Sequence, residues 1–458
     1  MDFFGRKKEL ALLTRMSRTG GGFIVITGRR RVGKTELVRQ FLRGKRSCYL
    51  FINQGLSRDA LLEDISSQIE RDLGEVGIRY SSFVALFRHL FNDMGPLVLA
   101  IDEFQRLQGI APEALSELQQ AVDTYLQKSQ VTLIVSGSSM GMMGRIFEES
   151  GAPLFKRADS IITLRPLGFP ETCELLERMG IVKAEEQLDL YSLFGGIIFY
   201  YRLMERYGAK DLHSVLDLLL LNDLAPLAHE PMDIMVEEFG RQHSTYFEIL
   251  KAMAWGRSSR GEIADHTHVE ATSLSHYLDD LSLLLGVVEG EVPVTEIKER
   301  SRRGRYRIVD PFFRFYFRFI WPRMADISLG RFDRILDEVE AQWPAHRGAV
   351  FEDLALQHTR NALGTSYGSI GRFWSRRGDE VDILLIDHEG RKAMMIESKA
   401  SNLSPGEALS ILNRLEAKWP LIPLVGYQRS VGLICISVQL DGRWPEQGTV
   451  ITLDDLRK

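Results

Sequence analysis

Short apolar runs alternate with longer amphipathic stretches over roughly the first 165 residues, the pattern of a sheet whose strands are separated by helices. Phe23 to Thr27, Ser47 to Asn53, Leu97 to Asp102, Val131 to Gly137 and Ile161 to Leu164 are apolar enough for strands buried on both faces, which predicts a mostly parallel sheet covered by helices. From Gly168 to Gln242 the strand pattern stops and amphipathic helices take over, Pro166, Gly168 and Pro170 marking the change. Residues Tyr246 to Trp255, Gly261 to Asp265 and Ser273 to Leu285 then read as three helices, and a β-hairpin ends at Tyr306-Arg307-Ile308; together they describe a winged helix. The aromatic block from Asp310 to Trp321 reads as a helix packed between domains. From about Gly348 a helix leads into strands Glu380 to Ile386 and Lys392 to Lys399, helix Gly406 to Lys418 and strand Gly432 to Val438. The expected organisation is multidomain α/β: a sheet core over 1–167, a helical lid over 168–242, a winged helix over 243–309, a connector over 310–347 and a small α/β domain over 348–458.

The 458-residue length fits about three domains. With 45% hydrophobic and 26% charged residues, disordered and fibrous classes are excluded. A formal net charge of −5 offers no global attraction for nucleic acid, so such a partner must be met by a local patch. Cys48, Cys173 and Cys435 lie far apart without zinc spacing, which predicts buried thiols in a reducing compartment. Met1-Asp2-Phe3-Phe4-Gly5-Arg6-Lys7-Lys8 lacks the apolar h-region of a secretory signal and no stretch approaches eighteen uncharged apolar residues, so a cytoplasmic protein without membrane contact is expected.

The chemistry begins at Gly28-Arg29-Arg30-Arg31-Val32-Gly33-Lys34-Thr35, which fits G-x-x-x-x-G-K-[ST] between a strand and a helix starting at Glu36. Glycines let backbone N–H groups fold around phosphates, and the helix N-terminus adds its dipole. Lys34 would neutralise β and γ oxygens, and Thr35 would bind Mg²⁺, so ATP and Mg²⁺ are the expected cofactors. Downstream, Leu97 to Ile101 ends in Asp102-Glu103, the form of a Walker B strand: Asp102 for the metal ion, Glu103 as general base. The strand ending at Val135 runs into Ser136-Gly137-Ser138-Ser139, where Ser138 is the candidate γ-phosphate sensor and Ser136 the second choice. Arg157 precedes the last strand and is a candidate arginine finger, in its own subunit or across a homo-oligomer interface.

These residues resemble the AAA-type ATPases abundant in archaea and also found in bacteria, related to the STAND and origin-recognition NTPases. The resemblance spans essentially the whole chain. It rests on Phe4-Gly5-Arg6 with Glu9-Leu10, on Gly28 to Thr35, on Ile101-Asp102-Glu103-Phe104, on Ser136 to Ser139 with Met142-Met143, and on Gly195-Gly196. Val309-Asp310-Pro311-Phe312 looks like the start of the domain, formerly of unknown function, that accompanies these ATPases. The resemblance implies an ASCE-type sheet with Glu103 catalytic. Two departures stand out: the usual Tyr-Gly-Arg before the last strand reads Phe155-Lys156-Arg157, and the proline usual after the lid glycines is Ile198.

In the carboxy-terminal region a turn at Asp387-His388-Glu389-Gly390 sets Asp382 opposite Glu397, with Lys399 on the same face. Opposed carboxylates repel unless a cation or proton lies between them, and a divalent metal accounts for the pair. Asp followed by Glu-x-Lys on the next strand is the pattern of the PD-(D/E)xK nucleases, and Glu352 looks like that fold's helical acid, which predicts a restriction-endonuclease-like domain. Lys298 to Arg307 carries six positive and one negative side chains on an acidic chain; Arg300, Arg302, Arg303, Arg305 and Arg307 are therefore candidate DNA contacts, with Thr272, Ser273, Ser275 and His276 on the third helix.

Two functions fit the sequence. The first is Mg-dependent ATP hydrolysis coupled to DNA binding, with metal-dependent cleavage by the last domain. The second is a nucleotide-controlled switch that binds a protein partner and carries an inactive nuclease-like module.

Overall fold

Strand β1 (Phe23–Gly28) alternates its side chains between two cores, and that alternation explains the architecture around it. Phe23 and Val25 join one apolar cluster, Ile24 and Ile26 another. The neighbouring strands are β2 (Ser47–Phe51), β3 (Leu97–Asp102), β4 (Val131–Gly137) and β5 (Ser160–Leu164). Leu97, Leu99 and Ile101 of β3 likewise face the first cluster, Val98 and Ala100 the second. Each such fully buried aliphatic side chain contributes about 1.5–3 kcal/mol, which is why these strands need helices on both faces.

The computed structural model describes residues 3–18, 20–222, 224–439 and 448–458; Met1 and Asp2 of the amino terminus lie outside them. The chain forms two units. The first comprises Met1–Pro166 with the short segments Ile197–Phe199 and Leu283–Gly286; the second holds Leu167–Gly196, Tyr200–Ser282 and Val287–Lys458.

In the first unit all five strands run parallel, in the order β2-β3-β4-β1-β5. The Walker-type strand β3 is separated from the loop-bearing strand β1 by β4, the arrangement of an ASCE-type P-loop sheet expected from the sequence. Helix Lys34–Leu42 follows β1 after the loop Arg29 to Gly33.

The second unit begins with helices Phe169–Arg178 and Ala184–Phe194 and holds helix Ile198–Tyr207 from Tyr200 onward. Helices His243–Ala254, Arg260–Thr267 and Ala271–Leu283 come next, with the antiparallel hairpin β6 (Val288–Glu291) and β7 (Arg305–Ile308), in the order of a winged helix. The aromatic block is helical and wholly structural: Phe312, Phe313, Phe315, Tyr316, Phe317 and Phe319 are all buried.

A second five-stranded sheet closes the chain: β8 (Ser369–Trp374), β9 (Glu380–Asp387), β10 (Lys392–Leu403), β11 (Gln428–Val438) and β12 (Gly448–Thr452), in the order β12-β11-β10-β9-β8. β8, β9 and β10 pair antiparallel, β10, β11 and β12 parallel. Helix Phe332–Leu363 covers one face through Val350, Phe351 and Leu354, and helix Pro405–Glu416 covers the other through Ala408, Ile411, Leu412 and Leu415. The long helix starts sixteen residues before the expected Gly348 and runs through Pro344. An interior proline costs about 3 kcal/mol, which here is opposed by a buried stripe of Ile335, Val339, Trp343, His346, Val350 and Leu354 at helical spacing.

All three cysteines are buried. Among the described residues, no helix is long and apolar enough to cross a membrane.

Candidate functional site

Gly28 ends β1 with φ 148°, and a Cβ there would collide with the Leu164 carbonyl of β5. Gly33 opens the following helix at φ 99°. Both positions require glycine for conformation or close approach, and between them Arg31 adopts φ 66°. The Arg6 guanidinium donates to the Val32 carbonyl at 3.0 Å, pinning the loop from outside. Val32 is buried, Arg29 and Arg30 are half-buried, and exposed Arg31 lays its guanidinium 4.1 Å from the Phe199 ring centroid. Glu36 occupies the first turn of the helix.

Lys34 is buried and folds back over the loop, donating to the carbonyls of Gly28 at 2.7 Å and Arg29 at 2.9 Å. Thr35 Oγ1 donates to Asp102 Oδ2 at 2.7 Å. The same oxygen accepts from Tyr49 OH at 2.6 Å, while Asp102 Oδ1 accepts from Ser136 Oγ at 2.5 Å and from the Glu103 N–H at 3.0 Å. Sheet order explains this convergence, because β2 and β4 flank β3 and deliver Tyr49 and Ser136 from its two sides. The Thr35 hydroxyl and the Asp102 carboxylate form a set of oxygen donors that fits a hard divalent cation.

Glu103 sits in the left-handed region at φ 56°, an uncommon conformation for a residue with a side chain. Its Oε2 accepts from Gln105 Nε2 at 2.8 Å and from Ser138 Oγ at 3.1 Å, and lies 3.5 Å from Arg106 Nε. Gln105 Nε2 also reaches Ser138 Oγ at 3.2 Å. Ser138, read from sequence as a phosphate sensor, is thus turned toward the candidate base. Tyr49 and Gln105 were missed by sequence reasoning; neither belongs to a spacing motif, and only the fold brings them to the site. Arg157 stands apart from this cluster, its guanidinium paired with Asp123 of the same chain at 3.0 Å.

The carboxy-terminal acids form a second, looser site. The β9–β10 register runs from Lys392↔Asp387 to Ile396↔Ile383, the turn-centred pairing expected from sequence. Asp382 Oδ2 accepts from the Ser398 N–H at 2.8 Å and from Ser398 Oγ at 3.0 Å. Glu397 Oε1 accepts from Lys399 Nζ at 2.7 Å, and its other oxygen lies 3.8 Å from Lys418 Nζ. Lys399 and Lys418 balance the Glu397 charge, and Ser398 satisfies Asp382. Among the described residues, no group of three or more His, Cys, Asp or Glu side chains stands together as a metal site. Burial pushes the Glu352 carboxyl up to about 7, with the Asp382 charge adding to it and Arg372 opposing. Burial, then the Glu397 charge, raises Asp382 as well. Burial works against the Lys399 ammonium, but its bond to Glu397 and the surrounding carboxylates raise it overall.

Within the second unit, three of the hairpin arginines meet carboxylates of the same unit. Arg303 pairs with Glu296 and donates to the Trp374 carbonyl at 2.6 Å. Arg305 pairs with Glu380 at 2.5 Å. Arg307 binds Glu291 at 2.8 Å, Glu289 at 3.2 Å and Asp353. Arg300 and Arg302 are exposed, as are Thr272, Ser273 and His276 on the third helix.

Comparison with known proteins agrees with this architecture. Residues 3–200 match the family described as an ATPase domain predominantly from Archaea, and residues 316–411 match archaeal and bacterial proteins of unknown function. A relative described as an uncharacterized protein of Methanocaldococcus jannaschii is 29% identical over 440 residues, covering 94% of this chain and 95% of its own. A solved Walker-type ATPase of Pyrococcus abyssi is 20% identical with a TM-score of 0.54, over 69% of this chain and 96% of that one. The ORC2 protein of Aeropyrum pernix, solved as ADPNP–ADP complexes, is 17% identical with a TM-score of 0.47, over 71% of this chain and 96% of that one. The chain therefore carries, over residues 3–200, an ATPase domain of the predominantly archaeal P-loop family, followed over residues 316–411 by the archaeal and bacterial domain of unknown function.

Proposed function

We propose that the protein binds ATP with Mg²⁺ at Gly28 to Thr35, hydrolyses it, and uses that cycle on DNA engaged by the winged helix. The observation that carries the hydrolytic half is the placing of Glu103 one residue beyond Asp102, with its carboxylate held by Gln105 and Ser138. Backbone N–H groups of the loop and Lys34 bind the phosphates, Lys34 exchanging its two carbonyl contacts for β and γ oxygens. Thr35 and Asp102 would hold the Mg²⁺, which when bound neutralises charge on the phosphate oxygens. Glu103 orients the attacking water and accepts its proton. DNA contact falls to the exposed side chains Lys298, Arg300 and Arg302 and to the exposed start of the third helix, since Arg303 and Arg307 are held by carboxylates within the fold.

A second activity, metal-dependent strand cleavage, is favoured by one observation: Glu352 and Asp382 line a common cleft. The test is turnover of ATP by the wild type beside Lys34→Ala and Glu103→Gln, and Mg²⁺-dependent cleavage of supercoiled, linear and single-stranded DNA beside Asp382→Asn. Lys34→Ala should abolish nucleotide binding, and Glu103→Gln should bind ATP yet turn it over at least ~100-fold more slowly. Unchanged turnover in Lys34→Ala would refute the assignment. If no DNA is cut by the wild type, the last domain is a binding module and the nucleotide-controlled switch becomes the better reading.

A further inference from the structure

The cleft that holds Glu352 and Asp382 is lined by charges of both signs. It encloses about 220 Å³, and its other lining residues include Arg305, Arg307, Arg372, Trp374 and Glu380. Arg305 and Arg307 come from the hairpin strand β7 and Arg372 from β8, while Glu291 of β6 and Glu380 of β9 add carboxylates beside the Glu352 and Asp382 pair. The hairpin has only four residues in each strand, and a two-stranded ribbon of that length is barely stable alone, so its position depends on what it leans against.

Its two arginine contacts differ in kind. Arg307 is 22% exposed and shared among three carboxylates, including Asp353 of the helix that carries Glu352; this is an anchor. Arg305 is 37% exposed and held by the 57% exposed Glu380, with its guanidinium 4.8 Å from the Trp374 ring centroid. An ion pair so exposed is weak and exchangeable. A guanidinium that already presents its fork to a carboxylate presents the same fork to a phosphate.

We infer that this cleft is a binding site for the phosphodiester backbone of a single nucleic-acid strand, and that Glu380 stands in for the phosphate on Arg305 when no strand is bound. An incoming backbone phosphate takes Arg305 from Glu380, uncovers the face of Trp374 for a base to stack on, and leads the strand toward Glu352 and Asp382. A single aromatic face beside one exchangeable guanidinium matches the unpaired bases and backbone of one strand, so a single strand is the occupant. The inference rests on the reading that these acids end a nucleic-acid site.

The test uses the full chain, a fluorescent single-stranded oligonucleotide and the matching duplex, in EDTA so that binding is separated from cleavage. Glu380→Gln should tighten strand binding about fivefold and Arg305→Ala should weaken it by a similar factor. In the Arg305→Ala background Glu380→Gln should do nothing, because its effect works through the freed guanidinium. Duplex affinity should respond to neither. An equal gain from Glu380→Gln with and without Arg305 would mean simple loss of a repelling charge and would overturn the inference. So would an equal gain for duplex, a silent Glu380→Gln, failure of every form to bind the strand, or the same response to polyglutamate in place of the oligonucleotide.

A parallel cleavage assay in Mg²⁺ separates the two levels. Cleavage lost in Asp382→Asn with a silent Glu380→Gln keeps the acid site and removes the strand cleft. A Glu380→Gln response without any cleavage keeps the cleft and removes the nuclease.

Discussion

Asp102 shows how much of a site one residue can organise. Its two oxygens accept three hydroxyls, of which only Thr35 belongs to the nucleotide motif. Lys34, Thr35, Asp102 and Glu103 are legible in the sequence because their spacing is fixed by backbone geometry at strand ends. Tyr49 and Gln105 are not, because their positions depend on which strand lies beside β3 and on the left-handed turn at Glu103. Tyr49→Phe should therefore lower Mg²⁺-supported turnover several-fold at limiting metal while saturating Mg²⁺ restores it; a Mg²⁺-independent defect would contradict a role through Asp102. Gln105→Leu should reduce kcat for ATP with little change in KM, since it leaves the loop intact and frees the Glu103 carboxylate. A separate residue gives the chain a pH signature. Burial pushes His346 down to about 3, the Arg314 charge adding to it and its bond to the Ser192 carbonyl opposing. Because the folded value lies below the unfolded one, the unfolded chain takes up this proton first. The contribution to stability is complete above about pH 6.5 and is lost as pH falls from there toward 3. The denaturation midpoint of the wild type should fall over that range, and His346→Gln should fall less steeply; parallel curves would remove His346 as a cause.

At the scale of elements, strands buried on both faces and the three helices before the hairpin can be read from apolar periodicity. β8 was missed because Ser369–Trp374 mixes Gly371 and Arg372 into a strand that is only partly buried. The long helix extends well before Gly348 because its buried stripe continues on both sides of Pro344. That helix sets Glu352 and Asp353 side by side, one lining the carboxylate cleft and the other bound by Arg307, Arg314 and Arg372. Charges in the hairpin were visible in the sequence, but which of them were already spent was not, since their partners lie on β6, β8, β9 and this helix. Arg307→Ala should destabilise the second unit by about 3 kcal/mol, the usual cost of unpairing buried carboxylates, whereas Arg302→Ala should leave stability unchanged and lower the salt dependence of DNA binding. Differential unfolding and binding at two salt concentrations read the two effects separately.

For the whole molecule, the nucleotide residues all fall in the first unit and the carboxylate cleft in the second. Asp382→Asn should accordingly leave ATP turnover at the wild-type rate while Lys34→Ala abolishes it, and a matched loss in both would show that the sites depend on one another for folding. The order β2-β3-β4-β1-β5 also carries a consequence for biosynthesis. Phe23 finds its neighbour in Leu133 and Ile24 in Ser160, so the strand that ends in the phosphate loop is made early and receives both its partners late. Until β5 has left the ribosome, Gly28 lacks the Leu164 carbonyl it packs against and the loop has no rigid floor. Such distant pairing slows folding and leaves an apolar strand open while the chain grows. A nascent chain cut off before residue 160 should therefore hold no nucleotide and should be a substrate for chaperones.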